Sequence, residues 1–170
     1  IRHKNEVQRA CRAMVHAHRI PSEWPGEVVQ TRIRKALLEA DRKGRKDLRD
    51  TAFVTIDGED ARDFDDAIYA EPRSRGGWRL LVAIADVSHY VKPGMALQEM
   101  AYERGNSVYF PGRLIPMLPE KLSNGVCSLK PKADRLCMVA ELHIALKGKT
   151  QHEKFYTAVI HSHARLTYTE

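Results

Sequence analysis

Asp57-Gly58-Glu59-Asp60-Ala61-Arg62-Asp63-Phe64-Asp65-Asp66 places six acids and one base in ten residues. Ala52-Phe53-Val54-Thr55-Ile56 before it reads as a short strand, and Ala67-Ile68-Tyr69-Ala70 after it as another. A charge run alone is usually a solvated loop. Three features point elsewhere. The acids are mostly Asp, whose short side chain keeps the carboxylate near the backbone. Strands anchor both ends. Like charges this close repel, and raise one another's pKa unless a cation neutralises them. Hard cations such as Mg²⁺ take carboxylate oxygens together with water and a substrate phosphate, so a site for one or two Mg²⁺ is expected here. Neighbouring strand residues face opposite ways, so Asp65 and Asp66 share a site only if the chain is irregular there. A tight loop through Gly58 returns Asp63, Asp65 and Asp66 to Asp57. The calcium-loop spacing fails at both Asp57-x-Glu59-x-Ala61 and Asp63-x-Asp65-x-Ala67.

Trp78–Ala85 reads as a third strand, joined to the second by a turn at Arg73-Ser74-Arg75-Gly76-Gly77. The unbroken apolar run Leu80–Ala85 predicts a central strand covered on both faces. Ala96–Arg104 reads as a helix stopped by Gly105. Residues 106–135, rich in Pro, Gly, Asn and Ser, read as a long functional loop with short turns of helix. Leu136–Leu146 and Phe155–His163 read as a hairpin around Lys147-Gly148-Lys149. Upstream, Val7, Ala10, Cys11, Met14 and Val15 recur at helical spacing and predict an amphipathic helix over 4–18. A second helix is expected from about Pro25 to Lys43, with Gly44 as its stop. The fold class expected is α+β, a mixed sheet with flanking helices.

The chain has 170 residues, 43% hydrophobic and 29% charged, a composition that fits a soluble globular protein. No apolar run is long enough to span a membrane, and the first residues lack a secretory signal. The absence of an initiator Met predicts a start inside a longer protein. Cys11, Cys127 and Cys137 are widely spaced and form no C-x-x-C pair, which suits a reducing cytoplasm. The net charge is +6, and the first 50 residues hold 13 Lys and Arg against 7 Asp and Glu. The peak at Arg42-Lys43-Gly44-Arg45-Lys46 favours a nucleic-acid backbone, with a solvated helix end as the alternative.

Thr55–Ala67 closely resembles the active-site segment of the ribonuclease II/ribonuclease R exoribonucleases. The similarity continues through Val82–Ser88, Ser107–Pro111, Ile115–Pro119 and Leu122–Leu129 to Ser162–Tyr168, and in detail lies closer to the ribonuclease R branch. Residues 47–170 resemble the first part of that family's catalytic domain, and residues 1–46 a helical, basic lead before it. The resemblance implies processive 3′→5′ hydrolysis of single-stranded RNA to nucleoside 5′-monophosphates, with Mg²⁺ as the cofactor and Mn²⁺ as a substitute. It places the four active-site aspartates at Asp57, Asp63, Asp65 and Asp66. Asp57 and Asp66 would be direct metal ligands, Asp63 would assist, and Asp65 would be essential through a second metal or the attacking water. Tyr109 would stack on the 3′-terminal base; without the resemblance it reads as a core aromatic. The family's essential arginine, a further acid, a second stacking aromatic and the flanking RNA-binding domains lie outside this sequence. The chain alone is therefore expected to be inactive or nearly so, and either to expose apolar surface meant for the missing half or to rely on a partner chain to cover it.

Other readings remain open. A non-catalytic RNA-binding module and a structural cation loop both fit parts of the pattern, and Asp57-Gly58-Glu59 also opens like the D-x-E motif of another metal-dependent exonuclease class. His161-Ser162-His163 could form a metal pair, but no nearby Cys or acid completes a set, so a structural role is expected. Cys127 and Cys137 read as buried small hydrophobes, and Asn124-Gly125 as a turn. Asp86 could line the site or cap a turn, and Arg62 could offset acidic repulsion or touch phosphate. Arg113 and Lys121 read as solvated charge, with RNA contact as the alternative.

Overall fold

A computed structural model describes residues 2–29, 33–34, 37–74 and 76–169. In chain order the elements are α1 (Arg2–Ala17), α2 (Gly26–Val29), α3 (Glu39–Arg42), β1 (Lys46–Leu48), β2 (Val54–Asp57), β3 (Asp66–Pro72) and β4 (Trp78–Ala85). A 3-10 turn (Val87–His89), α4 (Ala96–Arg104), the hairpin strands β5 (Val108–Phe110) and β6 (Arg113–Ile115) and a π turn (Leu122–Val126) follow. The long strands β7 (Asp134–Ile144) and β8 (Thr150–His161) and the short β9 (Ala164–Thr167) complete the chain. The class is α+β, as the sequence predicts. The chain divides into two compact units, Ile1–Arg32 with Val91–Glu120, and Ile33–Tyr90 with Lys121–Glu170.

The first unit holds α1, α2, α4 and the β5–β6 hairpin. Cys11 and Val28 are buried, as are Leu97 and Ala101 one turn apart on α4. Arg104 ties this unit together. Its guanidinium donates to the carbonyls of Pro116 (2.8 Å) and Glu23 (2.9 Å), and lies 3.6 Å from the centre of the Trp24 ring. Gly105 caps α4 at φ 72°.

The second unit is a seven-stranded mixed sheet of order β1-β8-β7-β4-β3-β2-β9. The two edge strands pair in parallel, β1 with β8 and β9 with β2, and the inner pairings are antiparallel. β4 is central, in full register with β3 and β7. At the β3–β4 turn a Cβ on Gly77 would meet the Ile144 carbonyl at 2.0 Å, so only glycine fits against the end of β7. Arg75, the middle of that turn, lies outside the described residues.

Three expectations change. Leu80–Ala85 is central but not covered on both faces. Leu81, Ala83 and Ala85 are buried, whereas Ile84 on the other face is 48% exposed. Ile84 pairs with exposed Met138 and Ile56 with exposed Leu166, so the second face carries apolar side chains open to water in this chain. The helix expected over 25–43 is reduced to α2 and α3. Residues 33, 34, 37 and 38 between them are not helical, and 30–32 and 35–36 lie outside the described residues. The basic run at 42–49 is neither a free polyanion surface nor a solvated helix end. Arg42 pairs with Asp134 (3.0 Å), Arg45 with Asp86 (2.6 Å), Lys46 with Glu141 (3.8 Å), and Arg49 with Asp47 and Asp134. Charge matching to carboxylates far along the chain decides this, and local composition does not reveal it.

One such group carries a pH prediction. Glu141 accepts from Arg79 Nε and from the Tyr156 hydroxyl, both at 2.8 Å. Arg79 foremost outweighs partial burial and holds the carboxyl at about 2, against an ordinary 4.5. A lowered folded-state pKa contributes stability above about pH 4.5 that is lost as pH falls toward 2. Glu141→Gln should cost about 1–3 kcal/mol near neutral pH and flatten that acid limb. Urea midpoints at neutral and acid pH check both.

Candidate active site

The second unit builds its acidic site at one end of the sheet. Asp57 closes β2 and Asp66 opens β3, so hydrogen bonding fixes both ends of the stretch. Between them residues 58–65 are irregular, as the Asp65-Asp66 adjacency requires. The Ala85 N–H donates to the Asp65 carbonyl at 2.9 Å, carrying the β3–β4 ladder one residue beyond the strand.

Distant residues hold the loop. From β9, Arg165 Nη2 donates to the carbonyls of Gly58 (3.0 Å) and Glu59 (2.5 Å), and its guanidinium lies 5.4 Å from the centre of the Phe64 ring. Phe64 is buried and anchors the loop to the core. From the segment after the π turn, the fully buried Ser128 hydroxyl accepts from the Phe64 N–H and donates to the Arg62 carbonyl, both at 3.0 Å. The Leu129 N–H donates to the Phe64 carbonyl at 2.8 Å.

The aspartates feel one another. Burial foremost, then Asp66 and Asp63, raise the Asp57 carboxyl above its ordinary range, with Arg165 opposing. Asp65 is raised by partial loss of water contact, then by Asp63, Asp66 and Asp57, although one side stays exposed. The sign is opposite to that of Glu141: ionising Asp57 and Asp65 works against the fold, and protons or cations relieve it. The structure thus brings all four predicted aspartates within electrostatic reach. Among the described residues, no three His, Cys, Asp or Glu side chains stand in metal-holding arrangement. The donors are hard carboxylate oxygens with surplus negative charge, which suits Mg²⁺ or Mn²⁺ by chemistry.

Tyr109 lies in the first unit, on β5, and is 70% exposed. It is not the core aromatic that its sequence context alone predicts. Asp86 is buried and committed, accepting from Ser88 and from Arg45, both at 2.6 Å. Arg62 makes no side-chain ion pair with a described residue. The histidine pair splits: His161 bonds Asp134 at 2.9 Å, while His163 is exposed. Burial pushes the Cys127 and Cys137 thiols up to about 12, which leaves both inert. Sequence reasoning missed Ser128, Arg135 and the loop-holding role of Arg165. Nothing in local pattern marks Ser128 and Arg165, because their loop partners lie up to 107 residues away, and Arg135 acts on the loop only through Ser128.

A strand-anchored aspartate loop on this mixed sheet defines a class. The RNB domain model matches residues 45–170, and the chain belongs to that family. Among relatives, ribonuclease R of Vibrio cholerae is 58% identical over 158 residues, and ribonuclease R of Escherichia coli 57% over 158 residues. Each alignment covers 92% of this chain and 19% of the relative, so the chain spans about a fifth of their length. The solved structure of Mycoplasma genitalium RNase R in complex with double-stranded RNA matches with a TM-score of 0.88 at 37% identity, covering 93% of this chain and 28% of that one.

Proposed function

We propose that this chain supplies the acidic part of the active site of a 3′→5′ exoribonuclease that degrades single-stranded RNA processively to nucleoside 5′-monophosphates. The observation that carries the reading is that Asp57, Asp63, Asp65 and Asp66 lie within electrostatic reach of one another on one stretch whose backbone is held from three sides. Membership of the RNB family and similarity to ribonuclease R support it. Asp57 and Asp66 would hold a divalent cation directly, with Asp63 assisting. Asp65 orients the attacking water, or a second cation, toward the phosphodiester. A divalent cation held there would supply an activated water near neutral pH and charge for the leaving 3′-oxygen. Tyr109 offers an exposed ring for sequence-independent stacking on a terminal base.

This part alone is inactive or nearly so. The open apolar row at Ile56, Ile84, Met138 and Leu166 supports a need for further packing. The setting is a reducing cytoplasm, and no described helix is long and apolar enough to cross a membrane. The test is a 5′-labelled single-stranded RNA incubated with the full-length protein and Mg²⁺. Conversion of full-length RNA to a short 5′-terminal remnant with few intermediates, and release of 5′-monophosphates, is expected. Internal cuts, or no turnover, would contradict the proposal.

Electrostatics adds a second expectation. With Arg42, Arg45, Lys46 and Arg49 paired, unspent positive charge in the first unit lies on α1 and the hairpin. Arg12 and Arg113 line two adjoining cavities of about 320 and 560 Å³, the second also bounded by His16 and Arg19. No described carboxylate pairs with Arg12, Arg19 or Arg113. Replacing Arg12 and Arg113 by Ala should weaken RNA binding and reduce the slope of log K against log salt by about 0.7 per lost phosphate contact. An unchanged slope would place the phosphates elsewhere.

A further inference from the structure

We propose that Ser128 is a positioning residue: its hydroxyl fixes the backbone on both sides of Asp63 and thereby sets the cation affinity of the aspartate loop. The inference rests on the reading of that loop as a cation site. Ser128 is fully buried, and its Oγ is donor and acceptor at once, to the Arg62 carbonyl and from the Phe64 N–H at 3.0 Å each. Those two groups bracket Asp63. The single hydroxyl hydrogen is committed to Arg62, so the group has no alternative orientation that keeps both bonds.

Ser128 is itself held in place. Arg135 Nε, on β7, donates to its carbonyl at 2.7 Å, and the Lys130 N–H donates to the same oxygen at 2.8 Å. The grip on Asp63 therefore passes through Arg135 to the sheet. Of the other anchors, Arg165 acts on Gly58 and Glu59 and Ala85 on Asp65, near the loop's ends, and the Leu129 N–H holds the Phe64 carbonyl; Ser128 alone bonds the backbone on both sides of Asp63. The middle of the loop has no strand ladder. Four like charges there push apart, and a carboxylate reaches a shared cation only if its backbone resists that push. Residues supporting a ligand in this way typically change metal affinity by about 10–100-fold.

The test is a Mn²⁺ titration of the full-length protein, reading free Mn²⁺ by electron paramagnetic resonance, with circular dichroism to confirm folding. Ser128→Ala should raise half-saturating Mn²⁺ about tenfold and leave RNA binding in chelator unchanged. In an Asp63→Asn background the same change should have no further effect, which a merely structural role would not produce. Wild-type affinity in Ser128→Ala, or full additivity with Asp63→Asn, overturns the inference while leaving the cation site standing. No Mn²⁺ binding by the wild type overturns the site reading itself. If Ser128→Ala does not fold, the near-isosteric Ser128→Cys carries the test. Intermediate affinity is expected of it, and wild-type affinity overturns the inference.

Discussion

Asp65→Asn is expected to lower RNA hydrolysis by the full-length protein about a thousandfold or more, equivalent to about 4 kcal/mol of lost transition-state stabilisation, while leaving RNA affinity within about threefold. Asn matches Asp in shape, and the backbone bond from Ala85 to the residue 65 carbonyl does not involve the side chain. What disappears is the charge proposed to orient water or a cation at the scissile phosphate. The fold should not suffer. Loss of water contact and three neighbouring aspartates already raise the Asp65 carboxyl, so its charge opposes folding near neutral pH. The substitution should leave thermal stability unchanged or raise it slightly. The alternative of a non-catalytic RNA-binding module has no need of this charge. Unchanged turnover would remove Asp65 from the chemistry, and a large drop in RNA binding would make it a contact for the strand. Single-turnover hydrolysis and filter binding, on the same preparations, separate these outcomes.

Arg45→Ala should have the largest effect on stability, about 3–5 kcal/mol. Arg45 Nη2 lies 2.6 Å from Asp86 Oδ2, with the two side chains only 11% and 4% exposed. Burial pushes the Asp86 carboxyl up, but the Ser88 hydroxyl and Arg45 prevail and hold it below its ordinary range. Without Arg45, Asp86 remains buried with the Ser88 hydroxyl and the His89 N–H but no counter-charge. It must then take up a proton or pull the β4 end open toward water. Removing both partners, as in Arg45→Met with Asp86→Leu, should cost much less, because the penalty lies in the orphaned charge. Urea unfolding of the four-member cycle measures this. A loss below about 1 kcal/mol for Arg45→Ala would mean that water reaches Asp86.

Local pattern made some of this structure legible and hid the rest. β4 lies at Trp78–Ala85 and α4 at Ala96–Arg104, where the sequence places them, because apolar runs and a capping Gly105 are local signals. The β7–β8 hairpin is legible for the same reason. The second helix is shorter than expected: Val29, Ile33 and Leu37 carry helical spacing, which does not by itself hold a helix together. Leu80–Ala85 cannot reveal that its Ile84 face is open, since that depends on what packs above the sheet. The mutual repulsion of the acids at 57–66 was legible, because a short stretch between two strands keeps them close together. The partners that hold them were not. Ser128 and Arg165 lie 60 to 110 residues away in sequence and meet the loop only through the order β3-β2-β9 and the segment after the π turn. The basic run at 42–49 misled for the same reason, since its partners Asp134 and Glu141 come from β7 and Asp86 from the end of β4.

The central claim is that the four loop carboxylates gather divalent cations where RNA is cut. Anomalous diffraction from crystals of the full-length protein soaked in Mn²⁺ tests it most directly. One or two peaks within coordinating distance of Asp57 and Asp66, with Asp63 or Asp65 turned toward them, are predicted. Strong Mn²⁺ peaks elsewhere, with this loop ordered and its carboxylates facing bulk water, would contradict it.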